Sequence, residues 1–438
     1  MRVALVFLLC AAAAAPPLAQ PLPFGAGESV MERGASDAGG LHLDAFAGPA
    51  YLDGWRTALH ARLRSHAGPL TIGADATLHP GAGGLYRDEA DDLDDLLRTV
   101  RVRLDPTPAR RVYARIGPTE RVTLGTGALV RDLSSGAAPD EQPLGAEAAA
   151  EIGPAFVAAF ATDVTRGGIV GADARLTTAA VLGPLRRLGL GVAAVHDTGP
   201  TTLRRLSGAE VSLRGELVGD GETFALAPFA AVAGYAGRGA TLGGGIEADA
   251  VTDAIGARAR AAVFASTARF APGHVGPFYG VAGGDRRIVV ADGFYDADPA
   301  LPLAGTPLDS LRAGVDVVLD VRAVVFGRAE VSHHLRRHVG PDRASAWGVR
   351  LAARIAGDVR AELAVERQGF RGITGLLFGG LGEENRLVLD IGVPVGPVHV
   401  LVRSRYGYRR LPAGAAGDAP RYLIERRFEP MVGARLRW

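Results

Sequence analysis

The sequence predicts an all-β chain, a transmembrane antiparallel up-and-down β-barrel of about 22 strands, within a range of about 18–24. Three observations predict it. Apolar and polar residues alternate in short segments from about residue 57 to the C-terminus, the period of two that marks strands with two different faces. The segments recur about every 19 residues and each is only weakly hydrophobic, as in a wall assembled strand by strand. Near the C-terminus the connectors are long and short by turns, which fits tight turns at one end of a barrel and loops at the other.

Composition agrees with this reading. The chain is 48% hydrophobic with a mean hydropathy of +0.15, contains 60 glycines, and only 22% of it is charged. Beyond the N-terminal run no stretch of ~18 uncharged apolar residues occurs, so no transmembrane helix is expected. Helical periodicity of ~3.6, the usual mark of a soluble chain this long, is missing. The net charge of +1 argues against a nucleic-acid partner, and all 48 basic residues are Arg.

Residues 1–19 read as a secretory signal peptide: Arg2, an apolar run from Val3 to Ala15, then Pro16, Pro17 and a small residue at Ala19, after which cleavage is expected. Cys10 raises a lipoprotein alternative, but Leu8 and Leu9 stand where a small residue is needed. Without Cys10 the mature chain has no disulfide, cysteine zinc site or thiol nucleophile. Residues 20–55 are Gly/Pro-rich and read as an N-terminal lead, with residues 56–438 as the barrel. One strand-like segment in the lead, Leu41–Phe46, is left out of the wall to keep the strand number even.

Thr57–Ser65 and Leu70–Leu78 open the wall, followed by an acidic stretch, Arg87–Asp95, that reads as a solvated loop rather than a cation site. Val100–Leu104, Arg111–Ile116 and Arg121–Thr126 read as three strands joined by turn-like connectors, with a polar loop at Arg131–Pro143. Alternation continues through Gly145–Glu151, Ala155–Thr162, Ile169–Thr177, Leu188–Val195, Ala209–Leu217, Phe224–Tyr235, Thr241–Ala250 and Ile255–Phe264.

The last third separates its faces best, over Gly314–Val321, Val325–Ser332, Trp347–Ile355, Asp358–Glu366, Arg386–Val393 and Val398–Tyr406. Val317, Leu319, Val349, Leu351, Leu363, Val365, Leu389 and Val400 fall on one face. Asp316, Asp320, Arg328, Glu330, Arg350, Arg354, Arg360, Glu362, Asp390, Arg403 and Arg405 fall on the other, and are expected to face the lumen. A sandwich would pack large residues across a core and rarely sustains so many strands. Around Gly357 the expected register sets Arg354 against Asp358 and Arg350 against Glu362.

In the final segment Val432, Ala434, Leu436 and Trp438 lie on the apolar face, and Arg435 and Arg437 on the lumenal one. This ending resembles the C-terminal strand of bacterial outer-membrane β-barrels, which finish on an aromatic residue with apolar residues at alternate positions before it. The segment RVYARIGPTERVTLGTGALVRD is also similar to uncharacterised porin-like barrels, and transfers no activity. The resemblance implies export to the cell outer membrane, a lead in the periplasm or lumen, and loops on the cell exterior. Outer-membrane lipid and the barrel-assembly machinery are then the expected partners, with a homo-oligomer among the expected states. Trp55, Trp347, Tyr406, Tyr408 and Tyr422 are candidates for interfacial girdles.

No enzyme, metal or cofactor is expected. His333, His334 and His338 lie close together, but adjacent histidines on a strand point apart and no fourth ligand is at hand, so an outer-loop position is assigned to them. Ser332 or Ser345 with a histidine and Asp342 lacks a G-x-S-x-G setting. Gly243–Gly245 and Gly379–Gly380 lack the Lys of a phosphate loop. The expected function is porin-like, passive or loop-gated diffusion of small polar solutes, with mixed lumenal charge and a mild anion preference. Residues 292–307 and 409–421 are the loops expected to fold inward. A structural or assembly barrel with an occluded lumen is the second reading, and a barrel enzyme the third.

Overall fold

The computed structural model describes residues 40–437 except 86–96, 136–142, 179–186, 199–205, 220–223, 276–286, 297–313, 340–344, 371–384, 411–420 and shorter turn segments. It contains 23 strands and, among the described residues, no helix. The first ten are β1 Gly40–Tyr51, β2 Trp55–Ala67, β3 Leu70–Leu78, β4 Leu97–Thr107, β5 Arg110–Ile116, β6 Ala146–Ile152, β7 Ala155–Ala161, β8 Ile169–Thr178, β9 Arg187–Asp197 and β10 Ser207–Glu216. Then come β11 Val218–Gly219, β12 Phe224–Tyr235, β13 Gly239–Val251, β14 Ile255–Ser266, β15 Arg287–Val290, β16 Gly293–Asp296 and β17 Gly314–Val325. The last are β18 Ala329–Val339, β19 Ser345–Arg354, β20 Arg360–Phe370, β21 Asn385–Val395, β22 Val398–Arg410 and β23 Arg421–Arg437.

β11 continues the ladder of β10 on β12, and β15 and β16 stand outside the wall, which leaves twenty strands in it. Each wall strand pairs antiparallel with the next, and β14 pairs directly with β17 across the longest connector. The ring closes where β1 meets β23, His42 opposite Arg437 through Ala47 opposite Val432. Closure leaves no unpaired edge, the condition for a sheet in hydrocarbon. Twenty lies inside the expected range. Leu41–Phe46 is a wall strand after all, so the wall begins at Gly40: its alternation is as good as its neighbours', and the lead's Gly/Pro content masked it.

The two-residue connectors and the longest connectors fall at opposite ends of the strands. At the end holding the C-terminus the connectors include 68–69, 108–109, 153–154 and 396–397, and at the other end 79–96, 117–145 and 267–313. Two of the tight turns read Gly-Pro, with Gly153 at φ 58° and Gly396 at φ 62°. A glycine at positive φ in first place suits the primed turns that match strand twist.

Side chains divide as the period of two requires. Val211, Val232, Leu242, Ile246, Val263, Val317, Leu319 and Val432 are exposed on the outside. Glu210, Glu247, Arg260, Asp316, Glu330 and Glu429, on the opposite parity, are buried inside. An exterior of Val, Leu, Ile and Ala around a polar interior is the reverse of a soluble fold and is stable only against lipid.

One register differs from expectation. Arg350 lies opposite Ala364, and Arg354 opposite Arg360, because β19 ends at Arg354 and β20 begins only at Arg360, a wider separation than the two residues assumed around Gly357. Arg350 still meets Glu362 diagonally, with Nη2–Oε1 at 2.6 Å. His333, His334 and His338 also lie within β18 rather than in a loop.

Candidate lumenal constriction

The connector between β5 and β6 does not stay at the rim. Val122 and Leu133 exchange backbone hydrogen bonds of 2.9 Å each way, Ser135 N donates to Thr119 O at 3.0 Å, and Leu124 N donates to Val130 O at 3.2 Å. The described residues between Thr119 and Ser135 thus form a small hairpin with its tip at Gly125–Leu129. Its apolar residues Leu124, Ala128, Leu129, Val130 and Leu133 are at most 2% exposed. They pack against Phe160, Val195, Phe229, Tyr235, Phe264 and Val318, which belong to the inner faces of β7, β9, β12, β14 and β17. The hairpin therefore lies inside the barrel, on an apolar shelf provided for it. Val275 extends this arrangement by pairing parallel to Val130, and Arg131 N donates to Val275 O at 3.0 Å.

Polar contacts fix the tip at mid-wall height. Gly125 N donates to Asp173 Oδ2 at 3.2 Å and Thr126 N to Glu210 Oε1 at 2.6 Å. Arg260 Nη1 donates to Thr126 O at 2.5 Å, and Tyr235 Oη to Leu129 O at 2.7 Å. A side chain at Gly125, whose φ is 55°, would start 2.5 Å from Glu210 Oε1, so only glycine brings the backbone this close. Arg131, on the outgoing arm, sets its Nε 3.6 Å from Asp320 Oδ2.

The wall beneath the tip carries alternating charge. Glu247, Arg260, Asp320 and His334 lie directly opposite one another across β13, β14, β17 and β18. Arg260 Nη2 contacts Glu247 Oε2 at 2.8 Å while its guanidinium stacks 5.3 Å from the Phe229 ring centroid. His334 Nδ1 pairs with Asp320. Arg214 reaches Asp249 Oδ2 at 2.7 Å and Glu247 Oε1 at 3.3 Å, and Arg258 joins the same two carboxylates. These ion pairs compensate charges taken from water and hold the strands in register.

The expected lumenal residues sort as follows. Asp316, Asp320, Glu330, Arg350, Arg360, Glu362, Asp390, Arg403, Arg405 and Arg435 are on inward-facing positions. Arg336 Nε lies 3.7 Å from Asp316 Oδ1, and Arg322 Nε lies 2.9 Å from Glu330 Oε1. Asp390 receives Arg403 at 3.6 Å and Arg405 at 3.5 Å, and Arg435 meets Asp44 at 3.4 Å across the closing seam. Arg328 lies outside the described residues, as do the side chains of Arg354 and Arg437. In the last strand Val432, Ala434 and Leu436 are exposed outward, and Trp438 is outside the described residues. Trp55 is 68% exposed at the loop-bearing end of β2, where its ring meets Tyr51 edge-on at 5.5 Å. Trp347 and Tyr406 also face outward, with Tyr406 buried beneath Arg426. Nothing is described of the Tyr408 and Tyr422 side chains.

A second cluster was not anticipated. His79, wholly buried just past β3, places Nε2 3.1 Å from Glu429 Oε1 on β23, and Arg403 Nη1 donates to Thr77 Oγ1 at 3.3 Å. A buried histidine beside a turn Pro-Gly was the available sign. Of Arg121–Thr126, expected as a wall strand, Arg121 lies outside the described residues and Val122–Thr126 belongs instead to the inward hairpin. The loops expected to fold inward fall mostly outside the described residues; of 292–307, Gly293–Asp296 forms β16, paired to β15, which in turn runs parallel to the start of β23. No cluster able to hold a metal occurs among the described residues.

No family model and no curated protein sequence matches the chain. Solved structures do. The outer membrane protein OpdK from Pseudomonas aeruginosa is 9% identical with a TM-score of 0.31, covering 92% of this chain and 100% of its own. OccK2 (OpdF) of the same organism, solved with glucuronate, is 10% identical with a TM-score of 0.32, covering 92% and 99%. The ferric enterobactin receptor PfeA, also from Pseudomonas aeruginosa, is 9% identical with a TM-score of 0.33, covering 91% and 82%. The fold itself rests on this chain's own strand registers: a closed, antiparallel, twenty-stranded transmembrane barrel in the architecture of outer-membrane β-barrels, narrowed from within by residues 119–135.

Proposed function

We propose that this chain is an outer-membrane channel for small polar solutes, narrowed on one side by the inward hairpin. The observation that carries the reading is the division of the lumen. The hairpin contacts described above run to β7–β17, while β18–β23 on the opposite side carry Arg350, Glu362, Asp390, Arg403, Arg405 and Arg435 on their inner faces. A barrel of this strand number encloses an aqueous interior unless it is filled. The charged wall, rather than the apolar shelf, is the natural solute path, and its arginine excess favours anions mildly. A second reading, a structural barrel with a closed lumen, draws on the dryness of the hairpin's packing.

Purified protein in planar bilayers separates the two. Stepwise conductance with a modest anion preference is expected. Conductance at the level of a protein-free bilayer would remove the channel reading and leave the structural one.

A further inference from the structure

The seam between β1 and β23 is interrupted near its loop-bearing end. The two strands pair from His42–Arg437 to Ala47–Val432 and again at Tyr51–Phe428, in one unshifted register, with no pairing at the three positions between. Their other ladders run straight past this level, β1 to β2 from Gly40 to Tyr51 and β22 to β23 from His399 to Arg410. Counting on from Ala47–Val432 sets Pro49 against Pro430. Neither has an N–H, so both hydrogen bonds that opposed residues can exchange are missing there. Contact alone holds the stretch shut: Gly48 lies so close to the Pro430 carbonyl oxygen that a Cβ would collide with it. The exposed Tyr51 and Trp55 rings just above the gap suit the membrane–water boundary, so the gap faces acyl chains immediately beneath it.

The lumenal side of the same stretch is apolar. Phe46 and Ala50 on β1, Ala58 on β2 and Met431 on β23 form a buried cluster, separate from the shelf beneath the hairpin, with Leu401 on β22 packed against it. Polar side chains border this cluster. The His60 ring lies 6.1 Å from the Phe46 ring, and its Nδ1 is 2.9 Å from Thr77 Oγ1. His79, just past β3, meets Glu429 on β23 at 3.1 Å, so the contact bridges the inner faces of β2 and β1. Arg403 Nη1 stands 3.9 Å from the other oxygen of that carboxylate. A long apolar chain thus has apolar surface inside the barrel and hydrocarbon outside, divided by wall that lacks its hydrogen bonds. Parting the wall here forfeits the Tyr51–Phe428 pair and the His79–Glu429 contact, while the pairs from His42 to Ala47 keep the cylinder closed. We propose that the seam at 48–50 and 429–431 is a lateral port for the apolar chain of an amphipathic solute. The chain passes between the lumen and the leaflet at the loop-bearing end, and His79–Glu429 is the latch. The port rests on the barrel and not on its conductance.

The test places the folded full chain in liposomes containing a phospholipid whose acyl chain ends in a photoreactive diazirine, a probe confined to the bilayer. After irradiation, peptide mass spectrometry should find label on lumenal Phe46 or Met431 as well as on outward Phe428 and Val432. Oxidised C10S/P49C/P430C, stapled across the gap, should keep the outward label and lose the lumenal one until reductant is added. H79A should raise lumenal labelling several-fold. Excess palmitate should lower it, and glucose should not. The port is overturned if wild type carries no lumenal label, if that label survives the staple, or if glucose competes as well as palmitate. Unchanged lumenal labelling in H79A would overturn the latch. Should the stapled variant not fold, wild type and H79A still decide. A barrel that conducts but carries no lumenal label loses this inference alone, and one that is labelled but does not conduct loses only the channel reading.

Discussion

Arg260 joins the hairpin to the wall. One guanidinium meets Glu247 at 2.8 Å, donates to the Thr126 carbonyl at 2.5 Å and covers Phe229 at 5.3 Å. Arg260→Ala would strand the Thr126 carbonyl and remove one of the three arginines around Glu247, leaving Arg214 and Arg258 to share its charge. The expected cost is about 1.5–3 kcal/mol, the range for hydrogen bonds to charged groups, read as a lower urea midpoint for unfolding from detergent or bilayer. Single-channel current should also become noisier as the tip loses its anchor, while a variant with unchanged midpoint and quiet current would refute this anchoring role. At this scale the sequence was legible where the period of two was clean. Asp316, Asp320 and Glu330 could be assigned to the polar face because Val317, Leu319 and Val331 separate them. Arg260 was passed over, since its inward neighbours Ala262 and Phe264 are apolar and make the face look mixed. That apolar patch is the hairpin's shelf, so the same feature that hid Arg260 marked the site.

A hairpin inside the lumen and a strand in the wall look alike in one dimension. Val122–Thr126 alternates as a wall strand would, and only the next residues, Ala128, Leu129 and Val130, break the pattern with three apolar side chains in succession. All three are wholly buried, because the hairpin is enclosed on both faces. A wall strand has one wet face and would not tolerate the run. The separation of the two strands around Gly357 was misjudged, which is why the pairing of Arg350 shifted by two residues while its ion pair with Glu362 survived diagonally. Replacing residues 122–133 with a short Gly-Ser linker tests the element directly. The wall strands pair without it, so unboiled protein should still migrate as a folded barrel on a detergent gel. Its conductance should rise several-fold as the lumen widens. A folded variant with wild-type conductance would show that the solute path does not pass the hairpin.

Over the whole molecule, the fold turns on one seam. Nineteen of the wall pairings join strands that succeed one another around the sheet, and the twentieth, β1 with β23, brings together segments nearly 400 residues apart. Local pairing can form an open sheet, but only the seam makes a cylinder, and loop-closure entropy makes it the costliest contact to reach. Sequence reading stopped short here: β1 was set aside on strand parity, which counts strands but cannot say which one is surplus. The seam is open to a clean chemical test because Cys10, the chain's single cysteine, precedes the first wall strand in sequence. Ala45 and Ala434 are direct partners across it, within the ~4.5–5.5 Å spacing of opposed residues that a disulfide can bridge. In A45C/A434C, oxidation should cross-link β1 to β23, changing the mobility of the fully denatured chain until reductant is added. A45C/V432C, displaced by two positions, should cross-link poorly. If the displaced pair reacts as well as the aligned one, the register at the seam is wrong. If neither reacts in folded protein, the cylinder does not close between β1 and β23.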